Sequence, residues 1–139
     1  MPRLFTIEQA ERLLPELEPN VRLAISLKSA GQAAQQDFDA ETRRIAMAGG
    51  SVVNREKLLA LRSRLDATAR RLDEVIKEIQ EHGCLVKDLD LGLIDFPTLY
   101  RGEEVLLCWK LGEPAITHWH GLNEGYRGRK PILREKGSA

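Results

Sequence analysis

The chain has 139 residues, of which 42% are hydrophobic and 30% charged, and its 21 Lys and Arg are balanced by 21 Asp and Glu. That length supports one domain (1–139) with a core that needs no disulfide or metal to hold it, and zero net charge offers nucleic acid or an acidic lipid surface no general field. The opening residues lack an apolar signal core and no stretch approaches ~18 uninterrupted apolar residues, so no membrane partner is expected and the expected location is cytoplasmic. There Cys84 and Cys108 stay thiols.

The first 83 residues read as helix. "FTIEQAERLL" opens with a capping box, in which Thr6 accepts from a first-turn amide, Gln9 reaches back, and Phe5 is the staple. Pro15 and Pro19 disturb the next turns, since an interior proline costs ~3 kcal/mol. The expectation is a short helix, a break near Pro15, and a long helix from about Glu16 to the mid-forties, ended by Gly49 and Gly50. Asn54 caps a second long helix, in which Leu58, Leu61, Leu65, Thr68, Leu72, Val75 and Ile79 recur three and four apart. Such a coiled-coil-like seam, preceded by a glycine turn, predicts an antiparallel helical hairpin over 1–83. Its apolar length also predicts a homodimer associating through the helices.

Past Gly83 the aromatics concentrate, and glycines recur at meander spacing. "CLVKDL", "EVLLCWKLG" and "AITHWH" read as strands, with Pro97 marking "LGLIDFPTLYRG" as an edge or irregular segment. The predicted fold is therefore α+β: a long hairpin packed with a small, mostly antiparallel sheet in 84–133, and then a solvated tail, 134–139.

Candidate chemistry lies in the second half. On a strand, His118 and His120 share a face and could converge on a divalent zinc or iron ion, with Asp88, Asp90, Asp95, Glu113 or Glu124 completing the site. A hydrogen-bonded structural His120 is the competing reading. The carboxylates of "KDLDLGLID", with Lys87, Lys110 and Arg129, could form an acid/base site, although Asp residues beside glycine commonly serve as turn caps. "GYRGRK" could hold a small anionic ligand or peptide through Arg129. Cys108, with apolar neighbours on both sides, reads as a buried small hydrophobe.

"GCLVKDLDLGLIDFP", "VLLCWKLGE" and "WHGLNEGYRGRKPI", together with the N-terminal "FTIEQAERLLPEL", resemble the bacterial domain of unknown function 2203 family over nearly the whole chain. The matching positions are Lys87–Asp88, Gly92, Asp95–Phe96, Cys108–Trp109–Lys110, Gly112–Glu113, Trp119–His120, Gly125, Gly128 and Arg129. The chain departs from the pattern at His118 and Gly121. The resemblance implies no activity.

Two functions fit these residues. One is a non-catalytic interaction or ligand-binding module with a polar pocket built from Asp88, Asp95, Lys110, His120 and Arg129. The other is a small metal-dependent, hydrolase-like enzyme using His120 with Asp88 or Asp95. They differ in whether His120 meets a carboxylate in a cleft that a substrate can enter.

Overall fold

The computed structural model describes residues 3–49 and 54–133. The first helix, α1, spans Ile7–Met47 without a break, so the expected interruption near Pro15 does not occur. Pro15 and Pro19 both lie on its exposed face. Water can serve the carbonyls whose partners the prolines remove, while Leu14, Leu17 and Val21 bury the opposite face and hold the helix straight through. The capping box forms as its spacing requires, with Gln9 N donating to Thr6 Oγ1 (3.1 Å) and Thr6 N to Gln9 Oε1 (2.9 Å). The expected stop at Gly50 and the tail 134–139 lie outside the described residues.

The second helix, α2 (Arg55–Glu81), begins at the Asn54 cap and returns along α1. Its seam does not bury evenly. Val75 and Ile79 are fully enclosed where the sheet covers them, whereas Leu58, Leu61, Leu65, Thr68 and Leu72 are only half-buried. Away from the sheet the hairpin leans on polar contacts: Arg64 pairs with Asp37, and Arg62 stacks over Phe38.

Buried Glu41 binds Arg44 Nη2 at 2.6 Å and reaches across to Lys57 Nζ at 3.1 Å. Hydrogen bonds from Arg44 and then Lys57 hold its carboxyl at about 2, below the usual 4.5. A carboxyl with a depressed folded pKa stabilises fully above its unfolded value and loses that contribution as pH falls through the folded one. Wild type should therefore lose melting temperature between pH 4.5 and 2 more steeply than Glu41→Gln. Parallel melting curves over that window would remove this staple.

Five strands come next in the order β1-β2-β3-β4-β5, all antiparallel. They are β1 (Leu85–Asp88), β2 (Leu93–Tyr100), β3 (Glu103–Lys110), β4 (His118–His120) and β5 (Lys130–Pro131). The fold is thus a helical hairpin and a sheet, an α+β fold as expected. β2 is a regular strand, interior at Leu93–Asp95 where β1 flanks it and an edge at Pro97, as that proline implies. A strand residue's N and C=O point to the same side, and Pro97 O accepts from Phe5 N at 2.7 Å. The missing donor therefore faces the N-terminal segment and not β3, and β1 has already ended opposite Asp95.

Ile94, Phe96, Leu107 and Trp109 face the helices and merge with Phe5, Ala10, Leu14, Leu17, Val21, Val75 and Ile79 in one core. Phe5 meets Phe96 edge-on at 5.3 Å. By the alternation of strand side chains, Asp95, Cys108 and His120 occupy the sheet's other face.

Candidate functional site

That second face is built by register. Asp95 stands opposite Cys108, Cys108 opposite His118, and Leu106 opposite His120. Asp95 and His120 sit on strands separated by β3, ~10 Å apart at the backbone for two strand spacings, and their side chains meet across it. His120 Nε2 lies 3.1 Å from Asp95 Oδ1, with both residues 0% exposed. The other ring nitrogen, Nδ1, lies 2.9 Å from Gly121 O. A carbonyl only accepts, so Nδ1 carries a proton and Nε2 is turned toward the carboxyl. The pair then needs one further proton between Oδ1 and Nε2.

Burial drives the Asp95 carboxyl above its ordinary value, opposed by His120 and more weakly by Lys87 and Cys108. Lys87 is the extra residue of a bulge between Val86 and Asp88. Burial, reinforced by the Asp95 charge, pushes the Cys108 thiol up to about 11. A single oxygen, nitrogen and sulfur from Asp95, His120 and Cys108 all fall within 4.8 Å of one another. Asp95 Oδ2 is buried and has no hydrogen-bond partner among the described residues.

Next to this cluster, Arg129 Nη2 donates to Cys108 O (3.2 Å) and to Glu113 Oε1 (2.7 Å). The partner of Arg129 is therefore Glu113 and neither Asp88 nor Asp95. Glu113 belongs to the turn after β3, where its Oε1 also accepts from Lys110 N and its carbonyl from Trp109 Nε1. Tyr126 lies beneath two cations, Arg129 at 5.0 Å and Lys110 Nζ at 5.5 Å.

Glu124 gathers the returning segment by accepting from Gly121 N and Lys130 Nζ. A Cβ on Gly128 would lie 2.9 Å from the Glu124 Cβ, so a larger residue there would push this segment aside.

The structure brings Asp95 and His120 together, sets Arg129 and Lys110 beside them around Tyr126, and places Asp88 apart. Asp88 Oδ1 caps Leu91 N in the β1–β2 turn, and Asp90 pairs with Lys28. His118, half-buried, turns its Nδ1 to Thr117 Oγ1 at 2.8 Å and is not part of the Asp95–Cys108–His120 group. Cys108 and Glu113 are the members that sequence reasoning undervalues. Asp-x₁₂-Cys opposite one another on adjacent strands is a register fact, invisible until the β2–β3 turn is known.

Among the described residues, no helix is long and apolar enough to cross a membrane. The family described as "Uncharacterized conserved protein (DUF2203)" matches residues 3–132. No curated protein and no solved structure matches the chain.

Proposed function

The chain belongs to that family, and on this premise we propose that it is a non-catalytic cytoplasmic interaction module that pairs with a second copy through its helices. The observation carrying this reading is the contrast between its polar and apolar groups. Asp95 and His120 are 0% exposed, so the groups best suited to chemistry face no solvent. Between the helices, by contrast, an open groove of about 260 Å³ is lined by Leu27, Gly31, Leu65, Thr68, Ala69 and Leu72 together with the stems of Lys28, Gln32 and Gln35. Its wall is almost entirely apolar, and Gly31 lies 3.5 Å (from an added Cβ) from the Thr68 methyl, close enough for a shallow, smooth floor. Neighbouring cations already have anions within the chain, Arg64 with Asp37 and Arg62 with Asp66, so two copies can approach without like-charge repulsion. A divalent metal in the buried cluster belongs to the same reading as a structural cofactor.

Sedimentation of the full chain at tens of micromolar should show dimer, the range in which modest interfaces assemble. Ala69→Arg, an exposed helical position in the groove, should weaken association by at least about tenfold with unchanged helicity. A chain that stays monomeric throughout, or an arginine variant that still pairs, counts against the helices as the contact.

The enzyme reading draws on the same Asp95–Cys108–His120 grouping. It would require the cluster to open to water, which a rise in solvent exchange at His120 on substrate addition would reveal.

A further inference from the structure

We infer that Asp95, Cys108 and His120 are the protein ligands of a tightly enclosed zinc-class dication on the outer face of the sheet. The inference deepens the structural-cofactor part of the proposed function and rests on it. Two geometric observations and two arguments from the donor chemistry support it.

The His120 ring is set for ligation. Its Nδ1 donates to Gly121 O, the outer hydrogen bond that metal-bound histidines use to fix the tautomer and aim the free lone pair. That lone pair points at the Asp95 carboxyl, and the Cys108 sulfur completes a group spanning no more than 4.8 Å. Ligands ~2.0–2.3 Å from a tetrahedral ion lie roughly 3.3–3.8 Å apart, so small side-chain rotations suffice, with a water as the fourth ligand beside the three protein donors.

Asp95 Oδ2 supplies the second observation. It is fully buried, and among the described residues no group lies within hydrogen-bond geometry of it. An unpaired buried carboxylate oxygen is costly, by ~1–3 kcal/mol or more for a charged group, and on a residue that belongs to a cluster of ligand atoms it is accounted for by a cation.

Charge is the third. A dication with one thiolate, one carboxylate and one neutral imidazole has no net charge, as an enclosed site requires.

The donor set is the fourth. Sulfur disfavours magnesium and calcium, and a single histidine does not make the two-histidine, one-carboxylate face of non-haem iron. Mixed nitrogen, sulfur and oxygen donors suit zinc, with cobalt(II) as its spectroscopic substitute. Neither His118 nor Cys84 takes part: His118 turns to Thr117, and Cys84 donates to Ile79 O on the helix side.

The test uses the full chain, purified without a histidine tag and with its thiols reduced, then refolded with Co²⁺ after chelator treatment. The expected result is a single ion per chain, visible tetrahedral d–d bands, and a thiolate-to-cobalt charge-transfer band displaced by Zn²⁺. Cys108→Ser should abolish the charge-transfer band, whereas Cys84→Ser and His118→Ala should retain it. Wild-type protein that folds, as circular dichroism reports, yet takes up no Co²⁺ overturns the metal altogether. A band that survives Cys108→Ser and is lost in Cys84→Ser overturns this site while leaving a metal elsewhere. Sedimentation reads assembly separately, so failure of the dimer and failure of the metal site are distinguishable.

Discussion

Replacing His120 with alanine is expected to lower the stability of the metal-free chain by about 3–5 kcal/mol, the range for breaking a buried ionic or proton-sharing pair by deleting one partner. In a protein of this size that corresponds to a melting temperature lower by roughly 10–20 °C. The cost does not come mainly from the lost hydrogen bond. It comes from Asp95, which is 0% exposed and already has one oxygen without a partner; deleting His120 orphans the other. Asp95→Ala should be similarly harmful, since it leaves Nε2 unpaired. Removing both partners, as in Asp95→Val with His120→Leu, should cost clearly less than the two single losses added together. Urea unfolding of all four proteins measures this. A His120→Ala chain within 1 kcal/mol of wild type would mean that water reaches the pair and that the enclosed-site description is wrong.

The second large effect concerns residues 1–83 made alone, which should lose sharp cooperative unfolding or aggregate. On their own the two helices would bare Phe5, Ala10, Leu14, Leu17, Val21, Val75 and Ile79, the face now covered by Ile94, Phe96, Leu107 and Trp109. Past this face the hairpin buries little more than Ala34 and Glu41, too little apolar surface to offset the ordering of two long helices. Polar links also tie the halves: Thr98 Oγ1 donates to Phe5 O at 2.6 Å, and Ile116 N to Glu11 Oε2 at 3.1 Å. Thermal unfolding tracked by circular dichroism decides the matter. A melt of residues 1–83 that matched the full chain's would show two independent units.

Local chemistry determines the features that are legible in the sequence. The Thr6–Gln9 box and the Asn54 cap form because each needs only its own first turn. The seam of α2 and the strands β1, β3 and β4 come from periodicity. The helix prolines mislead because their penalties are local while their remedies are not. Pro15 and Pro19 are tolerated on a face that happens to meet water, whereas Pro97 marks an edge as expected, its nitrogen facing Phe5 and not β3.

The site divides in the same way. His120 and Asp95 stand out as polar residues in apolar strands. The burial of Cys108 is legible from its apolar neighbours, but its place opposite Asp95 depends on register across the β2–β3 turn. The Arg129–Glu113 pair depends on how the segment after β4 returns, which three glycines and Glu124 control together.

The bond from Phe5 N to Pro97 O joins the start of the chain to β2, and this matters for how the protein is made. A ribosome releases residue 5 long before residue 97, at ~5–20 residues per second. During that interval the N-terminal segment has no strand to dock on, and the apolar face of α1 and α2 has nothing to cover it. Ile116, which donates to Glu11, emerges later still. The apolar face of the helices therefore stays open until β2 and the segment around Ile116 have left the exit tunnel, and folding of the helices waits on that later stretch.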